Sequence, residues 1–118
     1  MTTVKLSLIQ AMARQEGFYA HGTRPARNNN PGDLEYGEFT KAHGATGGDP
    51  RFAIFPTAEI GLAAFACLMA GLVYRNLTIA AAIAKFAPSN ENDVAEYVHN
   101  VCAWTGLQPT DIVGDHLV

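Results

Sequence analysis

Between Gly22 and Gly48 the chain sets Gly, Pro and Asn so close together, in Arg27-Asn28-Asn29-Asn30-Pro31-Gly32 and again in Gly47-Gly48-Asp49-Pro50, that a helix is hard to sustain there. On both sides of this stretch apolar residues recur at helical spacing instead. That contrast constrains the fold more than any other feature of the 118 residues. It predicts a helix, a small irregular β region, then a run of helices: one α+β domain, residues 1–118, dominated by helix.

Leu8, Ile9, Met12 and Ala13 form the first stripe, and Gly17 offers a stop, so a helix is expected over about Lys5 to Glu16. Leu34 to Phe39 and Arg51 to Phe55 are short aromatic or β-branched runs joined by a glycine-rich loop, which predicts two or three antiparallel strands. Thr57 is placed to cap a helix running to about Tyr74, apolar all round its axis as a central buried helix would be. Thr78 is placed to cap Ile79 to Phe86, which Pro88 ends. Asn90 or Asn92 is the expected cap of a last helix in which Val94, Tyr97, Val98, Val101 and Trp104 share a face and Gly106 closes the end. The tail has room for a short helix after Pro109.

Charge and cysteine usage exclude several classes. Eight Lys plus Arg against eleven Asp plus Glu give a net charge of −3 with no basic run, so binding to a phosphate backbone has little to work with. The apolar run Ile60 to Tyr74 falls short of the roughly 20 residues that cross a bilayer as a helix. Met1 to Ile9 carries neither a long apolar stretch nor a small-residue cleavage site, so no secretory signal is expected in this sequence, and either export uses another route or a leader has been removed. Cys67 and Cys102 lack close CxxC spacing and are taken as two buried thiols in preference to a disulfide. The histidines His21, His43, His99 and His116 form no HxxxH or HExxH pair, so neither a metal nor a cofactor is expected.

Glu16 is the residue from which chemistry is most readily derived. It continues the apolar stripe to the end of the first helix, where burial and the negative end of the helix dipole both disfavour a carboxylate. A carboxyl that keeps its proton near neutral pH is a general acid. The alternative is a Glu that reaches solvent or pairs with Arg14 or with an arginine of the following loop. Further acids fall on the expected sheet: Asp33, Glu35 and Glu38 on one strand, with Asp49 at the foot of the next. Strand residues two apart share a face, so Asp33 and Glu35 would look the same way. A sheet carboxylate opposite a protonated Glu is the pairing that cleaves glycosidic bonds; solvated edge charge is the plainer reading of each acid taken singly. The Asn run could hold a sugar acetamido group or simply bond its own turn, and Tyr19, Tyr36, Phe39 and Tyr97 could offer stacking faces, Tyr97 being equally readable as core.

The order Gln15-Glu16-Gly17-Phe18, Asn28-Asn29-Asn30-Pro31-Gly32-Asp33-Leu34, Asp49-Pro50-Arg51-Phe52-Ala53-Ile54-Phe55 and Ala87-Pro88-Ser89-Asn90-Glu91-Asn92-Asp93 resembles the lysozyme-like superfamily, in particular small phage and bacterial endolysin-type muramidases and transglycosylases. The resemblance spans about Leu8 to Gly106. It implies a helical lobe and a small β-hairpin lobe flanking a cleft for a glycan strand, with Glu16 protonating the glycosidic oxygen. It further implies a second carboxylate from the sheet, Asp33 ahead of Glu35 and Asp49, and sugar contacts from Asn30, Glu35, Tyr36, Asp49 and Tyr97. The implied partner is peptidoglycan, cut by a monomer without cofactor, nucleic acid or membrane insertion. Transglycosylase relatives work with a single Glu, and a non-catalytic wall-binding or virion module is the alternative from another class. The mild acidity departs from the basic character that draws many wall-degrading enzymes to anionic walls.

Overall fold

A computed structural model describes residues 5–87 and 92–117. Its elements are the helices α1 (Leu8–Glu16), α2 (Arg24–Arg27) and α3 (Glu38–Ala42), the strands β1 (Gly47–Gly48) and β2 (Ala53–Ile54), the helices α4 (Ala58–Ala70), α5 (Ile79–Phe86) and α6 (Val94–Thr105), and a 3-10 turn over Val113–His116. This is an α+β protein in which helix dominates and the sheet is a single antiparallel pair, Gly47 opposite Ile54 and Gly48 opposite Ala53. The chain divides into two compact units, Met12–Cys67 and Met1–Ala11 with Leu68–Val118.

In the first of these units Met12, Ala13, Leu34, Phe52, Ala53, Phe55, Ala64 and Phe65 are buried. The expected strand Leu34 to Phe39 is cut short. Glu35 makes a lone bridge to Phe52, after which the Gly37 N–H donates to Thr40 Oγ1 (2.9 Å) and the chain turns into α3, taking Glu38 with it. A threonine hydroxyl that satisfies a free N–H three residues upstream outweighs the β preference of Tyr36 and Phe39. Asp33 lies outside any strand, in a left-handed turn at φ +50°. Asx residues tolerate that region because the short polar side chain bonds locally.

Thr57 does cap α4, its hydroxyl accepting from the Ile60 N–H (3.2 Å), but the helix stops at Ala70 and is not buried all round. Gly61, Ala64, Phe65 and Met69 face inward, whereas Glu59, Ile60, Ala63, Cys67 and Ala70 are exposed. Small side chains make both faces look apolar on paper. Cys67 is therefore an exposed free thiol, and Cys102 a half-buried one whose pKa is raised, first by burial and then by Asp111.

In the other unit Thr78 caps α5 as expected, accepting from the Ala81 N–H (3.1 Å), and α5 packs on α6. The cap of α6 is Asp93, whose Oδ1 accepts from the Glu96 N–H (3.0 Å), one residue beyond Asn92; Asn90 and Pro88 fall outside the described residues. Gly106 ends α6 in the left-handed region at φ +77°. Tyr97 and Val101 supply the buried part of its inner face. Among the described residues no helix is long and apolar enough to cross a membrane.

Candidate functional site

The C-terminus of α1 is held by two hydrogen bonds that overlap in register. The Phe18 N–H donates to the Ala13 carbonyl (3.0 Å) and the Gly17 N–H to the Arg14 carbonyl (3.1 Å), with Gly17 at φ +93°. This double closure is a Schellman motif, and it fixes Glu16, half-buried, as the last residue of the helix. The next six residues loop back on it. Thr23 Oγ1 donates to the Gly17 carbonyl (2.7 Å) and accepts from the Ala26 N–H (3.2 Å), so one hydroxyl locks the end of α1 to the start of α2. Glu16 immediately precedes that lock and Arg24 immediately follows it.

Arg24 is immobilised from two directions. Its Nε donates to Asp33 Oδ1 (3.0 Å) and Oδ2 (3.1 Å), its Nη2 also binds Oδ2, and its Cζ sits 3.5 Å above the Phe52 ring centroid. A bidentate carboxylate and an aromatic face together hold a guanidinium in one plane and one orientation. The Asp33 hydrogen bond raises the Arg24 pKa above its ordinary value, and the charges of Asp33, Asp49 and Glu16 add in the same direction against desolvation. An ionised Glu16 therefore attracts Arg24.

Three of the acids expected on the sheet share one property. Asp33 pairs with Arg24, Asp49 with Arg27 (3.0 Å) and Glu35 with Arg51 (3.5 Å). Glu35 and Arg51 are mostly exposed, and a pair of that kind contributes little stability. Arg51 also stands 4.7 Å from the Phe52 centroid, so this one ring lies under two guanidiniums. Asp33, by contrast, has only 14% of its side chain exposed.

The remaining expected contacts sort by exposure. Tyr36 is 39% exposed with the Lys41 ammonium 5.3 Å from its ring, and Tyr19 is exposed beside Phe18, so both present faces to solvent. Asn30 is 0% exposed. Its Nδ2 donates to the Leu34 and Ala53 carbonyls (2.9 Å each) and its Oδ1 accepts from the Leu34 N–H (3.0 Å), so it builds the loop under the site and offers a ligand no surface. Tyr97 is likewise buried, in the other unit, where it belongs to the core.

Asp33, Glu35, Tyr36, Asp49 and Glu16 all lie in the unit Met12–Cys67. A pocket of about 300 Å³ among Leu6, Leu8, Thr105, Leu107 and Asp115 belongs to the other unit and contains none of them. Among the described residues no three His, Cys, Asp or Glu side chains converge as metal ligands would.

Arg24 is the residue that sequence reasoning missed. Its signal was Thr23-Arg24-Pro25, a capping hydroxyl followed by a proline in the first helical turn, which marks a helix start and places Arg24 at a fixed point on it. Comparison of the chain with protein-family models, with curated proteins and with solved structures finds no match.

Proposed function

We propose that this chain is a lysozyme-like peptidoglycan glycosidase in which Glu16 donates the proton that releases the glycosidic oxygen between N-acetylmuramic acid and N-acetylglucosamine. The observation that carries this reading is the setting of Glu16: half-buried, at a capped helix end that the Thr23 hydroxyl ties to the start of the helix bearing Arg24, which Asp33 and Phe52 hold rigid. The exposed rings of Tyr19 and Tyr36 supply faces of the kind on which sugars stack.

In the hydrolytic form Glu16 protonates the leaving oxygen and the C1–O bond breaks, after which water adds to C1 and gives its proton to the Glu16 carboxylate, Asp33 staying bound to Arg24. A second reading is favoured by one specific observation, that Asp33, Glu35 and Asp49 are each engaged by an arginine. With a single acting acid, the muramyl 6-hydroxyl attacks C1 and returns its proton to the Glu16 carboxylate, leaving an anhydro-muramyl end.

The test is clearing of a peptidoglycan suspension by the wild type and by Glu16→Gln, with mass spectrometry of the products. The expected outcome is a loss of at least about a hundredfold in the variant, the lower end of what one general acid supplies. Clearing that survives the substitution removes Glu16 from its role. Wall binding without clearing by either protein supports a non-catalytic module. Reducing ends identify the hydrolase and anhydro ends the transglycosylase.

A further inference from the structure

We infer that Arg24 is the substrate-positioning residue of this site and that Asp33 serves to hold it, the outward edge of the guanidinium receiving a neutral oxygen acceptor of the sugar, an acetamido carbonyl or a hydroxyl. The inference rests on the reading of Glu16 as proton donor.

A guanidinium carries five N–H donors. Nε and one Nη2 proton are directed at Asp33, while Nη1 has no protein acceptor among the described residues. The Arg24 side chain is nonetheless 42% exposed, against 14% for Asp33. Of the two partners it is therefore the arginine that a ligand can reach. For Asp33 to act on water it would first have to give up a bidentate bond and turn outward. Phe52 below and Asp33 at one edge leave the remaining donors a fixed direction, so the cost of ordering them is met before a ligand arrives.

The lock between Gly17 and Thr23 ties the start of α2, and with it Arg24, to the end of the helix that carries Glu16, whose charge when ionised bears on Arg24. The choice of a neutral acceptor follows from local charge. With Glu16 protonated, the carboxylates of Asp33 and Asp49 balance the guanidiniums of Arg24 and Arg27, so no net positive charge is left to draw an anion. An anionic group of the substrate gains no net attraction there, whereas a carbonyl or hydroxyl needs only the directed donor. Lysine cannot substitute: an ammonium is a point charge without the planar fork that binds Asp33, lies on Phe52 and still points a donor outward.

Steady-state kinetics on a soluble peptidoglycan oligosaccharide test this, with Arg24→Lys, Asp33→Asn and the wild type compared and melting curves recorded for each. Arg24→Lys is expected to raise KM about ten- to a hundredfold, the range spanned by one hydrogen bond to a charged group, with kcat within about threefold. Calorimetric binding of the same oligosaccharide in a Glu16→Gln background should weaken by the same factor. Asp33→Asn, which keeps the guanidinium but loosens it, should raise KM in the same direction and leave turnover running.

Arg24→Lys with an unchanged KM and a lowered kcat indicates a smaller folded fraction and overturns the inference. So does Asp33→Asn with KM kept and kcat lost by a hundredfold, which would make Asp33 the catalytic base. Should Arg24→Lys fail to fold, the Asp33→Asn result decides alone. A wild type that neither binds nor cleaves the oligosaccharide sinks the glycosidase reading itself, and this inference with it, which is distinguishable from either result above.

Discussion

At the scale of single residues, Asn28 and Asn30 have the same chemistry and opposite hydrogen bonding. Both are buried, yet Asn30 joins two carbonyls and one N–H of the segments around Leu34 and Ala53, whereas Asn28 Nδ2 has no hydrogen-bond partner among the described residues. Removing a side chain that satisfies buried backbone groups exposes their full desolvation penalty, about 1–3 kcal/mol for each group left alone. Removing an amide that is already unpaired relieves a penalty instead. Asn30→Ala should therefore destabilise the protein by at least about 2 kcal/mol more than Asn28→Ala, read as the difference in unfolding free energy from urea titrations. Equal losses would mean that Asn30 is not the post on which the loop stands. The Asn-Asn-Asn-Pro-Gly run was legible as a turn because its residue types prefer turns. Its reach to Ala53 and Phe55 was not, since composition reports local partners and these bonds span more than twenty residues.

At the scale of elements, what sequence determined was the helix ends where a side chain meets an orphan N–H. Ile79–Phe86 matched because Thr78 is the only hydroxyl in reach, and the α6 start moved to Asp93 because a neighbouring Asn offered the same chemistry one residue early. The strand expected from Leu34 ends early because the Gly37–Thr40 contact, which alternation of residue types does not report, turns the chain into α3. Helix α4 carries the clearest consequence of packing that periodicity cannot report. A Cβ on Gly61 would lie 1.9 Å from the Asn29 carbonyl oxygen and 2.9 Å from Pro31 Cδ, so the helix passes directly against the loop that leads to Asp33. In an exposed helix interior Gly→Ala is favourable by about 1 kcal/mol. Here the sign should reverse, because backbone must move to admit the methyl, and overpacking of this kind costs about 1–3 kcal/mol. A lowered melting midpoint for Gly61→Ala is the expected result; a raised one would show that the loop yields freely.

At the scale of the whole molecule the site and the net charge make different demands. Arg24, Arg27 and Arg51 are each held by a carboxylate, so these three guanidiniums present little uncompensated positive field. The net charge of −3 then governs the approach to a distant anionic surface. Electrostatic range shrinks from about 30 Å at 0.01 M salt to about 8 Å at 0.15 M. For a basic wall-degrading enzyme that screening removes attraction, and for this chain it removes repulsion. Under the glycosidase reading, the initial rate of clearing of intact anionic walls should therefore rise between 0.01 and 0.15 M salt, by about two- to fivefold on the scale at which weak fields alter encounter rates. Cleavage of an uncharged acetamido-sugar oligomer, which feels no such field, should stay level across the same range. The neutral substrate separates encounter from chemistry, since salt that acted on Glu16 or Arg24 would change both rates together. A rate on walls that falls with salt would mean that the arginines around Phe52 act as a net positive patch despite their carboxylate partners, and the charge balance used to assign a neutral acceptor to Arg24 would fall with it.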